Sequence, residues 1–189
     1  KNNINNFRFS FDANPNDRTP LINIFDEIAN KFNAEITANY TLDGLPDVKF
    51  LDAFKRAFSQ NSTLLLSPVF ADEILRKKYK SFFYSNFQLE QALDYMEKLG
   101  INSEIYFSIM PSVDEQENEK SKKYGEYLKG KYKYIKEFYL YPMEIEPASP
   151  WTYNPEKYGL KNVKTSFQEY YESDKGITGS FEGEFFSAE

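Results

Sequence analysis

The chain has 189 residues, 41% of them hydrophobic and 18% aromatic, enough to build the core of one substantial domain while leaving a second cramped. A net charge of −6 argues against a nucleic-acid partner, because phosphate binding needs a basic face, and the short run Arg76-Lys77-Lys78 reads as a solvated helix face. With no Cys and no His, these residues alone form no disulfide, hold no iron–sulfur cluster through thiolates and run no Cys- or His-based catalysis.

Phe7, Phe9 and Phe11 alternate with Arg8 and Ser10, a period of two that predicts a strand ending at Asp12. Asn14-Pro15-Asn16-Asp17 reads as a turn, and Thr19-Pro20 as an N-cap followed by a first-turn proline. Leu21, Ile22, Phe25, Ile28 and Phe32 then form one helical stripe. The segment from Glu35 to Tyr40 is strand-like, with Gly44 and Pro46 in the loop after it. A second helix carries Phe50, Leu51, Phe54 and Phe58 on one face. Thr63-Leu64-Leu65-Leu66-Ser67 is a short apolar run of the kind found in strands buried on both faces. Ser85 and Gln88 form a capping box, opening a helix with Leu89, Leu93 and Met96 inward and Gly100 as its stop. Ile105, Phe107 and Ile109 alternate as a fourth strand. The acidic stretch from Asp114 to Glu119 leads into a charged helix ending near Gly130. Glu137 to Pro142 reads as a fifth strand, and Thr165 to Glu172 as a last helix.

Strand centres near residues 9, 38, 65, 106 and 140 suit βαβ units of about 30 residues or more. Right-handed crossovers then dictate a parallel sheet covered by helices, hence an α/β fold. No internal repeat or linker marks a boundary. Residues 1–173 are therefore expected to form one unit, with 174–189, rich in Gly, Ser and Phe, as an irregular tail. No apolar run approaches the roughly 20 residues needed to cross a bilayer, and no secretory signal is visible. With the lack of cysteine, this makes a cytoplasmic location without membrane partners the expectation. The chain opens at Lys1 rather than Met, as a piece of a longer protein would.

Three stretches resemble, in order, the cobalamin-associated branch of the radical S-adenosylmethionine superfamily. Phe9-Ser10-Phe11-Asp12-Ala13-Asn14 is similar to that family's second strand. Leu65-Leu66-Ser67-Pro68, with Asp72 to Lys78 and Tyr84-Ser85-Asn86 behind it, is similar to its fourth strand and following basic helix. Tyr141 to Trp151 (YPMEIEPASPW), continuing to Asn154-Pro155-Glu156-Lys157-Tyr158-Gly159, is the most specific stretch and resembles the sixth strand and its loop. Tyr106 to Pro111 resembles the fifth strand and its turn. The resemblance spans residues 7 to 170 and implies a partial (β/α)6 barrel, TIM-like, carrying strands two to six with the first unit missing. The first strand and its three-cysteine loop for a [4Fe–4S] cluster would then precede Lys1, with any cobalamin-binding domain further upstream. The sequence departs from the family at Ala13, Val69 and Ser112, where a second acidic residue, a nucleoside-side Glu and a Gly-rich turn are expected.

By the same resemblance, the parent protein would cleave S-adenosylmethionine to a 5′-deoxyadenosyl radical, or methylate with cobalamin, and this chain alone would be inactive. In parallel α/β barrels ligands meet the C-terminal strand ends, where loops vary without disturbing the packed strands. Asp12 would accept from the cofactor's amino group, and Ser67 would bind its ribose. Asn39 and Ser108 would face the cavity, while Arg76, with Lys80, would pair with the cofactor carboxylate. Glu144, Glu146 and Trp151 are candidates for substrate contact or for closing the barrel mouth. Each has a plainer reading: a turn carboxylate, a strand terminus, a solvated helix position, a loop edge or simple packing. The acidic run at Asp114 to Glu119 reads as helix capping, and the tyrosines from Tyr124 to Tyr134 as packing. The alternatives are a non-catalytic α/β binding module, favoured by Ala13, Val69 and Ser112, and a hydrolase using Asp12 with Glu144 or Glu146. The expected partners are the missing N-terminal part, an unidentified substrate and, through an exposed sheet edge, a second copy of the chain.

Overall fold

A computed structural model describes residues 5–10, 14–32, 35–80, 82–110, 113–143, 150–172, 181–183 and 187–188. Strands β1 (Asn6–Phe9), β2 (Thr37–Leu42), β3 (Thr63–Val69), β4 (Asn102–Ile109) and β5 (Ile135–Pro142) pair in that order into one sheet. Every pairing is parallel. Between them run α1 (Thr19–Phe32), α2 (Val48–Ala57), the pair α3 (Glu73–Tyr79) and α4 (Asn86–Leu99), and α5 (Glu115–Lys131). Sequential strands joined through helices form an α/β fold with the arrangement of part of a (β/α) barrel, as the spacing of the apolar runs requires.

The two sheet faces differ because side chains alternate along each strand. Ala38, Tyr40 and Leu42, Leu64 and Leu66, and Ile105 and Phe107 share one core with Phe25, Phe50, Phe54, Leu89, Met96 and Leu128 from the helices. Phe25 meets Phe50 and Phe58 edge-on at 5.4 and 5.0 Å. Each such ring, fully buried, stabilises by about 1.5–3 kcal/mol. The intervening residues Thr41, Ser67, Tyr106 and Ser108 stay partly exposed on the opposite face. The β3 run is apolar on both faces as expected, for Leu65 on that second face is also buried.

Helix ends follow their capping residues. Asp47, Asp72 and Asp114 accept backbone N–H groups at the starts of α2, α3 and α5. The Ser85–Gln88 capping box opens α4, and Gly100 closes it at φ 64°, where a Cβ would be strained. In α5, Gly125 lets the helix approach β5 closely: a Cβ there would meet Cγ of Phe138 at 2.7 Å.

Two features depart from the sequence reading. The tail is not wholly irregular: β7 (Phe181–Gly183) pairs antiparallel with β6 (Leu160–Lys161), and β8 (Ser187–Ala188) pairs with β7. Arg76, read as a solvated helix position, is fully buried. After β5 come α6 (Pro150–Tyr153), a 3-10 turn (Pro155–Tyr158) and, beyond β6, α7 (Phe167–Tyr171). Among the described residues no helix is long and apolar enough to cross a membrane.

Candidate functional site

The polar face of the sheet opens, at the C-terminal ends of the strands, into a cavity of about 630 Å³. Each strand contributes to its wall: Arg8 and Ser10 from β1 and its end, Thr41 from β2, Leu65 and Ser67 from β3. Tyr106 and Ser108 of β4 and Tyr141 and Pro142 of β5 complete it, with Met143 at the rim. A volume within the range of small-molecule sites, apolar walls and a few hydroxyls suit a ligand with both polar and flat apolar parts. Arg8 supplies a cation on one side. Across three strand spacings, roughly 14 Å away, β4 presents tyrosine instead.

The tyrosine side is ordered by strand register. Tyr106 pairs with Tyr139, and Ser108 with Tyr141, so residues on one face of β4 meet those on the same face of β5. The Tyr106 ring lies 4.9 Å from Tyr139 and 5.8 Å from Tyr141, and Tyr139 and Tyr141 stack at 5.5 Å. The Tyr106 hydroxyl donates to Glu104 Oε2 at 3.2 Å. Burial first, then the Glu104 charge, pushes the Tyr106 phenol up to about 12.

The β3 wall is set by backbone geometry that the sequence did not disclose. Val69 has φ 69°, a left-handed conformation costly for a β-branched residue. Phe70 N donates to Pro68 O at 2.8 Å, closing a tight three-residue turn over Val69. Arg76 holds that turn from behind. Its Nε donates to Pro68 O and Phe70 O at 3.0 Å, its Nη1 to Tyr84 O at 2.9 Å, and its Nη2 to Phe70 O at 2.5 Å and to Asn86 Oδ1 at 2.6 Å. Asn86 Nδ2 in turn donates to Ala71 O at 2.9 Å. Strain of this kind persists where the surroundings over-determine it, and the guanidinium provides that constraint next to Ser67.

The structure brings Ser67 and Ser108 together in the cavity. Asn39 is exposed on the same sheet face, one side-chain step before Thr41 towards the N-terminal end of β2. Arg76 is placed elsewhere, with its donors committed to the loops around α3. Trp151 packs rather than lining the cavity: it stacks on Tyr158 at 4.5 Å and lies 5.6 Å from Tyr79, tying α6 and the 3-10 turn to α3. Asp12, Glu144 and Glu146 lie outside the described residues, as do Ala13 and Ser112. Arg8, Thr41, Tyr106 and Tyr141 were not singled out as site residues. The signal for Arg8 was present in its alternation with Phe7 and Phe9, which sends it to the face away from the helices.

No cluster of three or more acidic residues, and no His or Cys, is placed to hold a metal ion among the described residues. A [4Fe–4S] cluster does not fit this chain, because the sequence contains no thiolate to bind it. Fold and cavity together define an α/β protein with a ligand-sized cleft at the C-terminal mouth of an open parallel sheet. No family model, curated protein or solved structure matches the chain.

Proposed function

We propose that this chain forms the cofactor- and substrate-facing wall of a radical S-adenosylmethionine enzyme of the cobalamin-associated kind, whose cluster is held by a preceding segment. The observation that carries this reading is the cavity itself. It lies where parallel barrels bind ligands, and its hydroxyls come from strands that resemble the family's nucleoside-binding strands. Ser67 and Ser108 would hydrogen-bond the ribose hydroxyls. Arg8, rather than the committed Arg76, would face the amino-acid carboxylate through a charge-assisted pair. Pro142, Met143 and the tyrosines would exclude water. When bound, the cofactor supplies hydrogen-atom abstraction or, together with cobalamin, methyl transfer. The chain's own part is to bind, orient and keep the site dry.

The proposed preceding unit would attach at β1. Among the described residues β1 (Asn6–Phe9) is the first strand of the sheet, Phe7 is 41% exposed, and on α1 Ile24 and Phe32 are half exposed. A preceding strand and helix would pair with β1 and cover that apolar surface. Without it, the isolated chain is expected to self-associate.

The test is calorimetric titration of S-adenosylmethionine into the full-length protein with its cluster reconstituted without oxygen. Binding that weakens about tenfold, or about 1.4 kcal/mol, in both Arg8→Gln and Ser67→Ala would support the reading. The 189-residue chain alone should release no 5′-deoxyadenosine. No binding by the full-length protein with an intact cluster would sink the proposal and favour a barrel retained as a binding module.

A further inference from the structure

One wall of the cavity has a chemistry that nucleoside binding does not require. Tyr106, Tyr139 and Tyr141 come from two adjacent strands and contact one another pairwise, forming a single aromatic platform on the open face of the sheet. Tyr106 and Tyr141 line the cavity directly, and Tyr141 is 52% exposed at its mouth. Glu104 stands one side-chain step deeper on the same face, bonded to the Tyr106 hydroxyl. The neighbouring Glu137 is paired with Lys129 at 2.7 and 2.8 Å. Aromatic faces carry negative quadrupoles, and here they adjoin a carboxylate, so the wall attracts positive charge and flat surfaces together. An aliphatic or anionic ligand would use only part of it.

We propose that this platform is a subsite for a cationic aromatic substrate, its ring stacked on Tyr106 and Tyr141 and its charged nitrogen directed towards Glu104. The proposal rests on reading the cavity as a ligand site and deepens it by naming the substrate class. The Tyr106 hydroxyl is a neutral donor to Glu104, whose carboxylate borders the rings. Arg8, three strands away on β1, borders the other side of the cavity and would serve a separate, anionic end of a ligand.

The test uses benzamidine as an aromatic cation, cyclohexanecarboxamidine as an aliphatic cation and benzoate as an aromatic anion. Each is titrated into the full-length protein, labelled at its tyrosine rings, while those ring signals are followed by NMR. Benzamidine should bind saturably and shift the Tyr106 and Tyr141 rings, with both other probes about tenfold weaker. Tyr141→Leu, which keeps an apolar residue on an exposed edge strand, should weaken benzamidine about tenfold with the circular dichroism unchanged. Tyr106→Phe should retain most of the binding, and Glu104→Gln should abolish the preference over benzoate. Equal binding of benzamidine and benzoate, no binding of benzamidine, or binding indifferent to Tyr141→Leu would overturn the proposal. S-adenosylmethionine titrated in parallel into the full-length protein separates the two readings. Benzamidine binding without cofactor binding leaves the platform standing and removes the radical-enzyme assignment; cofactor binding without benzamidine binding does the reverse.

Discussion

Replacing Arg76 by methionine separates a structural role from a cofactor role. The guanidinium is fully buried and serves four acceptors: the carbonyls of Pro68, Phe70 and Tyr84 and the side-chain oxygen of Asn86. Methionine fills much of the same volume but donates to none of them. Pro68 O keeps its bond from Phe70 N, so three acceptors are stranded; at about 1–3 kcal/mol each, even the low end gives a loss of about 3 kcal/mol. That is a large share of the 5–15 kcal/mol by which domains are typically stable. For a chain of this length it lowers the melting temperature by about 6–12 °C. Urea unfolding followed by circular dichroism reads the change directly, as a lower midpoint at unchanged slope. Arg76→Lys restores the charge but not the planar fork, and should recover less than half of the loss. A methionine variant within about 1 kcal/mol of the parent would refute this account of the turn at Val69. If that variant also failed to bind S-adenosylmethionine, Arg76 would return as a cofactor contact.

Gly125→Ala should destabilise by about 1–3 kcal/mol despite alanine's better helix propensity, because the new methyl collides with the Phe138 ring; adding Phe138→Leu should restore much of the loss in the same urea assay. Ser85→Ala removes one half of the capping box on α4 and should cost about 1 kcal/mol by chemical denaturation. For Glu90, burial pushes the carboxyl up, but hydrogen bonds from Lys131, Tyr127 and Tyr124 outweigh it and hold the group below its ordinary range. A carboxyl lowered in the folded state stabilises above its unfolded value and loses that contribution as pH falls through the folded one, so Glu90→Gln should flatten the acid limb of the stability–pH curve. Tyr106 has the opposite sign: its raised phenol stabilises the fold below about 10, and that contribution is lost as pH rises to about 12. Ultraviolet titration of Tyr106→Phe should lack one late phenolate transition.

The sequence by itself determined the five strands of the parallel sheet and most of the helices between them. The alternation of Phe7, Phe9 and Phe11, read as a strand ending at Asp12, gives β1 as far as Phe9, with Phe11 and Asp12 outside the described residues; the alternation at Ile105 to Ile109, the helical stripe on α1, the Ser85 capping box and the Gly100 stop became the elements they announced. These signals are local: they depend on neighbours a few residues away, which share a strand face or a helix turn whatever the rest of the chain does. The spacing of the strands also dictated a parallel order, because a crossover helix returns the chain in the same direction.

What the tertiary structure alone decided is where distant residues meet. Arg76 looks solvated within the run Arg76-Lys77-Lys78, and it is buried only because the loop at Phe70 and the chain at Tyr84 fold over it. The left-handed backbone at Val69 has no sequence signature, since valine is the wrong residue for it; it is imposed by the tight turn and the guanidinium behind it. The tyrosine platform needs the exact β4–β5 register, including the shift near Ser103 and Glu104 that brings Tyr106 beside Tyr139. A slip of one residue would send the β5 tyrosines to the helix side. Trp151 and Tyr158 likewise find Tyr79 across a long stretch of chain. Such contacts are settled by which surfaces remain to be buried once the sheet has formed, a balance over the whole chain that no local window contains.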